Sequence, residues 1–403
     1  MAGRWTGRTS AIGIVGAAVA SVLVGGVPAA AQPALRGFSA ALDHNVAAAS
    51  AAPGNGGVNP YGVTVAPSTR GASRAERNAF HQTNLISDLP GQGAQLVDAN
   101  LRNPWGLALG PTSPLWVANN ASGVATIYRI PPGGNSVTKV PLVVTIPGGR
   151  ASTGDGPSPT GQVFNPTDGF GGAQFIFASE SGQITAWKPS DTSTAELKFS
   201  SPTAVYKGLT LARAASGTFL YAANFHDATV DVFDTGFHHI HLAGTFRDPS
   251  IPANYAPFGI QQINRLIYVT YAQQNDQKHD DVAGPGHGFI DIFTPDGFFL
   301  KRLASGGTLN SPWGMTLAPE SFGPFAHMLL VGNFGDGRIT VFDPFAGRFR
   351  GQLQDEQSKP IAIDDLWGLD VGTATTAGTH TLLFSAGIND EHDGLVGTIN
   401  ATR

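Results

Sequence analysis

The sequence predicts an all-β fold, a six-bladed β-propeller built from four-stranded blades. One strand-turn-strand pattern recurs six times between residues 80 and 403. Four of its opening glycines are clear, namely Gly208, Gly259, Gly314 and Gly368. They are separated by 51, 55 and 54 residues, close to the roughly 40–50-residue period of propeller blades. The chain has 52 glycines and 28 prolines but only 13% charged residues, a composition that favours short strands joined by tight turns.

Each unit contains three recognisable strands. The first opens with Pro or Trp and a Gly, at residues 103–107, 206–209, 256–260, 311–315 and 365–369, with a weaker copy at 165–169. The second is a continuous apolar run, at residues 115–118, 175–178, 220–223, 266–270, 329–332 and 382–385. The third follows a polar turn and alternates apolar and polar residues, at 124–130, 184–187, 230–233, 289–293, 339–342 and 395–399. A β-sandwich is the structural alternative, but it does not explain six similar units.

A fourth, outer strand follows most third strands, but the last unit ends at residue 403 without room for one. Residues 82–89 precede the first unit and can supply it. Closure of the ring by this N-terminal outer strand would leave no exposed sheet edge in that blade. The sequence therefore predicts a single closed domain over residues 80–403.

The N-terminus has the layout of a secretory signal peptide over residues 1–31. Arg4 and Arg8 precede an apolar run at 11–27, and small residues follow it. A membrane anchor is the alternative, but the run is short and rich in Gly and Ala. Residues 32–79 are predicted to be a low-complexity, flexible leader. We therefore expect a secreted protein, periplasmic or extracellular, that uses the general secretory pathway.

Composition excludes several functional classes. The chain has no cysteine, so disulfides, thiolate catalysis and cysteine-ligated metals are absent. Its net charge is −5 and it lacks basic clusters, which argues against nucleic-acid binding. No later segment is apolar enough to span a membrane after signal cleavage. We expect a monomer whose partner is an unknown extracellular small molecule or protein.

Several strings give the chain a family resemblance, which covers residues 82–400. They lie at 84–88, 103–106, 206–209, 220–225, 230–234, 278–284, 330–337 and 386–391. In these strings the chain resembles an uncharacterised family of exported bacterial proteins. More distantly, it is similar to NHL and gluconolactonase-like propellers. The resemblance implies a six-bladed propeller and assigns no catalytic residue.

Two turns between second and third strands are rich in Asp and His. In the fourth unit, residues 273–287 form an unusually long turn that contains His279, Asp280, Asp281 and His287. These groups could bind a divalent metal or act as an acid–base pair. A solvated insertion is the alternative, because carboxylates commonly cap turns.

The corresponding turn of the sixth unit contains Asn389, Asp390, Glu391, His392 and Asp393. Its oxygen ligands and histidine suit calcium or another divalent ion. The spacing does not follow a calcium-loop motif, however, and a plain Asn- and Asp-rich hairpin turn is the alternative.

Small polar residues also recur near the ends of the second strands, at Asn119, Ser179, Asn224, Thr270 and Asn333. At one depth around the axis they could face a channel mouth, or they could hydrogen-bond their own turns. The recurring Trp105, Trp313 and Trp367 are interpreted as packing residues rather than a platform for ligand stacking.

No nucleophile elbow, zinc-binding helix or phosphate loop is present. The first functional hypothesis is therefore a ligand- or protein-binding scaffold that uses loops on one propeller face. The alternative is a metal-dependent hydrolase or lyase of the gluconolactonase-like kind, with its site at the channel mouth. No cofactor is certain from the sequence, which leaves open only a divalent metal such as calcium.

Overall fold

The computed structural model describes residues 77–134, 136–149 and 156–402. The predicted signal peptide and nearly all of the predicted leader lie outside these residues, so both stay predictions. Within the described residues, no helix has the length and hydrophobicity needed to cross a membrane.

The chain first forms β1 (Phe80–Ser87) and the two-residue β2 (Leu96–Val97). The first blade comprises β3 (Pro104–Ala108), β4 (Leu115–Asn119), β5 (Val124–Arg129) and β6 (Thr138–Thr145). The second comprises β7 (Pro159–Phe164), β8 (Phe175–Ser179), β9 (Gln183–Trp187) and β10 (Glu196–Ser200). The third comprises β11 (Tyr206–Ala214), β12 (Gly217–Asn224), β13 (Thr229–Phe233) and β14 (His239–Ile240).

The fourth blade comprises β15 (Tyr255–Ile263), β16 (Leu266–Gln273), β17 (Phe289–Phe293) and β18 (Phe299–Ser305). The fifth comprises β19 (Pro312–Leu317), β20 (Leu329–Asn333), β21 (Ile339–Phe342) and β22 (Phe349–Gln352). The sixth takes β23 (Leu366–Val371), β24 (Leu382–Ala386) and β25 (Leu395–Ala401) from the end of the chain. The described helices are single turns of 3-10 helix at Phe170–Gly172, Pro189–Asp191 and Gly323–Phe325.

The sixth blade confirms the predicted ring closure. Its sheet has the order β2-β1-β25-β24-β23, and β1 pairs antiparallel with β25 from Phe80↔Ala401 to Ser87↔Leu395. The N-terminal strand is therefore the outer strand of the last blade. Strand β2 adds a short parallel pair at its edge. The other five sheets each have four strands, and the predicted six-bladed propeller is confirmed.

Six glycines of the innermost strands form a ring around the propeller axis, Gly106, Gly161, Gly208, Gly259, Gly314 and Gly368. A Cβ atom at Gly106 would lie 2.5 Å from the Thr160 carbonyl oxygen of the next blade. At Gly259 it would lie 2.1 Å from the Trp313 carbonyl oxygen. Adjacent blades approach so closely here that a side chain cannot fit, which explains why Gly recurs in the opening motif.

The second blade corrects one sequence prediction. Residues 165–169 are not its opening strand but belong to the turn after β7. The true copy of the motif begins at Pro159, which pairs with Ser179 as Pro104 pairs with Asn119. Gly161 occupies its place in the glycine ring. The copy was hard to detect because Thr160 stands where the first, fifth and sixth blades have Trp.

The hydrophobic core lies between neighbouring blades. Tyr221 of the third blade, for example, packs in one buried cluster with Ile260 and Val269 of the fourth. The innermost strands all begin at one end of the channel, where the turns between second and third strands also lie. We refer to this end as the upper face. The turns between first and second strands lie at the opposite end, the lower face.

Candidate functional site

An aromatic cluster at the start of the innermost strands closes the channel beneath the upper face. Trp105 stacks on Trp367 with ring centroids 3.4 Å apart, and Trp313 meets both edge-on at 5.8 and 5.7 Å. Phe258 and Phe225 complete the same buried cluster. All three tryptophans are buried, which agrees with their interpretation as packing residues.

Lys207 lies beside this cluster and is almost completely buried, with 3% of its side chain exposed. Its ammonium forms an ion pair with Glu180 and lies 3.6 Å from the Asp280 carboxylate. It also lies 5.2 Å from the Trp105 ring centroid, within range of a cation–π interaction. Burial alone would lower the pKa of Lys207, but the nearby Glu180 and Asp280 charges raise it. Lys207 is therefore a fixed positive charge at the centre of the upper mouth.

The long turn of the fourth blade brings its acidic residues to this lysine. Asp280 accepts a hydrogen bond from His279 at 2.7 Å, and this bond, with the Lys207 charge, lowers the pKa of Asp280 to about 2. The same hydrogen bond raises the pKa of His279. Burial raises the pKa of Asp281. His287 instead turns back on its own loop, where its Nδ1 lies 2.8 Å from the Val282 carbonyl oxygen.

In the turn of the sixth blade, one carboxylate, that of Glu391, points towards the channel. Glu391 accepts a hydrogen bond of 2.7 Å from the Asn103 amide, yet burial raises its pKa to about 7. Asn389 donates to Asp393 at 2.9 Å, and its carbonyl lies 3.1 Å from the ring of His392. Asp390 is exposed. Most of this turn therefore stabilises itself, as its plain hairpin interpretation expected.

The two turns meet at the same mouth. The charges of Glu180 and Lys207 both act on Glu391, and those of Asp281 and Asp390 act on Asp365, which opens the sixth blade. Burial, assisted by its neighbour Asp364, raises the pKa of Asp365 to about 6. The mouth thus gathers several carboxylates that carry more negative charge than Lys207 can balance.

The predicted ring of small polar residues does not line this mouth. Asn119, Asn224 and Asn333 are buried and bond within their own blades or to the segment that enters them. Thr270 lies one residue before the equivalent position, because Tyr271, not Thr270, pairs with Pro257. Ser179 is also buried, where it bonds Ser181. The second strands are sandwiched inside their blades, so these side chains make local bonds there; Thr270, for example, accepts a bond of 2.8 Å from the Gly259 N–H of the innermost strand.

One group among the described residues could hold a metal ion. Ligand atoms of Glu180, His279 and Asp280 all lie within 4.8 Å of one another. Lys207, however, already forms ion pairs with both of these carboxylates. A divalent cation here would lie beside a buried ammonium, so the group does not fit a metal as it stands. The histidine and carboxylates of the turn at 389–393 do not form a second such group within the described chain.

Two central residues of this mouth were not predicted as site residues. Glu180 is one acid in a short turn, and Lys207 stands inside a motif that identified a strand. The repeats did contain a signal for Lys207. When they are aligned, this lysine occupies the position of Trp105, Trp313 and Trp367. It departs from an otherwise aromatic or small-residue position.

No protein-family model matches the chain. Uncharacterized protein R648 of Acanthamoeba polyphaga mimivirus is 31% identical over 366 residues, which cover 85% of this chain and 83% of the relative. Uncharacterized protein L690 of the same virus is 33% identical over 321 residues, which cover 75% and 81%. These relatives are viral, so the expectation of a bacterial family stays a prediction.

Among solved structures, the soluble aldose sugar dehydrogenase of Escherichia coli in its apo-form is similar, with a TM-score of 0.51. The match covers 80% of this chain and 100% of that one, at 14% sequence identity. At this identity the likeness supports the propeller fold alone.

Proposed function

The chain belongs to one family with the mimivirus proteins R648 and L690, and we propose that it is an exported binding module. Its upper mouth holds a positively charged group of an extracellular ligand. The loops of the upper face form the binding surface. Export rests on the signal-peptide layout of residues 1–31.

The charge balance of the upper mouth carries this proposal. Glu180, Asp280, Asp281, Asp365 and Glu391 contribute carboxylates, and the buried cation among them is Lys207. Burial raises the pKa values of Asp365 to about 6 and of Glu391 to about 7, and the Lys207 charge offsets only part of the shift at Glu391. A cationic group bound beside them would supply further positive charge.

A cationic ligand should therefore release protons when it binds near neutral pH. Its charge favours the ionised forms of Glu391 and Asp365 and lowers their pKa values. We expect the affinity to rise between pH 5.5 and 7.5, and to fall with added salt because the mouth is open to solvent.

The test is isothermal titration calorimetry with a short lysine–glycine repeat peptide at low salt. Buffers of different ionisation enthalpy report the proton release. Glu391→Gln should weaken binding about 5- to 10-fold and reduce the released protons. Glu320→Gln removes the same charge from an exposed turn of the lower face and should bind as the wild type does. Equal affinities of the two variants, or no binding by the wild type, would contradict the proposal.

A hydrolase or lyase is the second candidate function. It is favoured by two carboxylates whose pKa values are driven apart in one mouth, Asp280 to about 2 and Glu391 to about 7. Such a pair can divide the roles of base and acid. Turnover of an aldonolactone, measured with and without a chelator, tests it. Because Lys207 occupies the acidic group, we expect elemental analysis of protein purified without added metal to find no stoichiometric ion.

A further inference from the structure

The channel has a second opening at the lower face. A narrow space of about 60 Å³ lies at the glycine ring, and it leads to a wider cavity of about 290 Å³ below the ring. The two spaces share the side chains of Leu107, Gln162, Gln261 and Asp370. These residues therefore surround a junction on the propeller axis, on the opposite side of the aromatic cluster from the upper mouth.

Asp370 departs from the repeat at this junction. It stands two residues after the ring glycine of its strand, where the six blades have Ala108, Val163, Thr210, Gln261, Thr316 and Asp370. Only the sixth blade places a charge there. Of the residues around the 290 Å³ cavity, the rest are apolar or uncharged polar, so no cation of the cavity wall balances this carboxylate.

Two side chains at the junction have hydrogen-bond acceptor atoms without a described donor. Asp370 accepts one bond, from the backbone N–H of Val371 at 2.7 Å, and no other within the part of the chain described. Gln162 is 5% exposed and donates its amide N–H groups to the carbonyls of Gly106 at 2.7 Å and Trp116 at 2.6 Å. These bonds fix the orientation of its amide and leave its buried Oε1 without a described partner.

We propose that this junction binds the ammonium group of a small organic monoamine. The Asp370 carboxylate accepts its N–H hydrogen bonds and balances its charge, and the unpaired Gln162 Oε1 atom belongs to a neighbouring side chain of the junction. The alkyl part lies in the wider cavity, against Leu109, Phe164 and Leu211. This apolar lining favours an organic cation over a hydrated metal ion.

The outer end of the cavity selects against a second positive charge. Pro166, Leu211 and Gln262 also border a neighbouring groove of about 750 Å³, and Arg213 and Arg265 are among its walls. Both arginines are exposed and would repel the far end of a diamine. The site should therefore prefer a monoamine over a diamine of the same length.

Binding should depend on pH through one group. Asp370 is the titratable residue among those that line the cavity, and burial raises its pKa to about 7, offset in part by the Val371 N–H. An ammonium beside it favours the ionised carboxylate. The affinity should therefore rise from pH 6 to pH 8, a range in which the amine itself stays protonated.

The experiment is calorimetric titration of the full chain with butylammonium at pH 8, followed by 1,4-diaminobutane, tetramethylammonium and calcium. One butylammonium should bind per chain, more tightly than the diamine and the quaternary ion, which lacks N–H donors. Asp370→Asn should weaken it at least tenfold, and Glu320→Gln should leave it unchanged. The asparagine variant removes a buried charge, so it should fold, which its melting temperature will verify.

The Glu391→Gln variant shows whether butylammonium binds at the lower junction or at the upper mouth. If butylammonium binding falls in this variant and not in Asp370→Asn, the amine occupies the upper mouth and the inference is wrong. Equal affinity of wild type and Asp370→Asn, no binding at all, or tighter binding of calcium that displaces the amine would also overturn it. The lysine–glycine peptide titration tests the upper mouth separately, so the two proposals can fail independently.

Discussion

The two ends of the channel differ in whether their buried charged group has a partner of opposite charge. At the upper mouth, loops of several blades surround Lys207, and its ammonium pairs with Glu180 and Asp280. At the lower junction, one carboxylate, Asp370, stands in a regular strand, and its pKa is raised to about 7 by burial. Lys207, Glu180 and Asp280 are held by one another at the upper mouth, whereas Asp370 has no cation beside it among the described residues.

This difference separates structural charge from charge available to a ligand. A buried ion pair is costly to break because each partner would be left unpaired in a medium of low dielectric. An unpaired carboxylate instead costs stability while the site is empty, and a bound cation recovers it. Neutral substitutions of Lys207 and of Asp370 should therefore change stability in opposite directions.

Lys207→Met should have the largest effect. It leaves Glu180 and Asp280 without their buried partner, and we expect a loss of about 3–5 kcal/mol in the free energy of unfolding. Chemical denaturation at pH 7 measures it. Lys198→Met, which breaks the more exposed pair with Glu196, should cost no more than about 1 kcal/mol. Similar losses in the two variants would show that Lys207 is not a structural centre.

Asp370→Asn should act in the opposite direction. The native carboxyl has its pKa raised from 3.8 to about 7, so it binds protons more tightly when folded, and wild-type stability falls between pH 4 and 7. Above pH 7, asparagine should raise the free energy of unfolding by about 1–3 kcal/mol, allowing for water in the channel. The gain should disappear near pH 4. Denaturation curves at pH 4, 6 and 8 measure it, and a loss at pH 8 would contradict the comparison.

His279→Ala should have the smallest effect. Its bond to Asp280 raises the pKa of His279, so the stabilisation is fully present below the ordinary value of 6.5 and is lost as pH rises through the raised value. The pair is partly exposed, and we expect a loss of about 0.2–1 kcal/mol at pH 5.5 and less at pH 8.5. His380→Ala, in an exposed turn, should change neither. A larger loss at pH 8.5 than at pH 5.5 would reverse the sign.

The repeat of the sequence predicts the fold well because one physical constraint recurs in every blade. Each innermost strand needs a Gly where the next blade approaches, and Gly106 and Gly368 mark their strands for that reason. The prediction was wrong in the second blade. There Thr160 replaces the aromatic residue, and the Pro166 to Gly169 segment offered a false copy of the motif.

The site was less predictable because its parts come from different distances along the chain. The two acidic turns were identified, but which side chains point inward depends on packing, and only Glu391 does so in the sixth blade. Asp370 was overlooked because it interrupts no strand and belongs to no polar cluster. Aligning the six innermost strands residue by residue exposes it as the single charge at its depth.

The closure of the ring has a consequence for the order of folding. Strand β1 is made first, yet its partner β25 lies more than 300 residues later. At typical synthesis rates of 5–20 residues per second, β1 waits for about 15 to 60 s with one hydrogen-bonding edge unpaired. Its run His81, Gln82, Thr83 and Asn84 is polar, which lowers the tendency of such an edge to pair with other chains. The polar residues of β1 thus protect the strand from pairing with other chains until β25 has been synthesised.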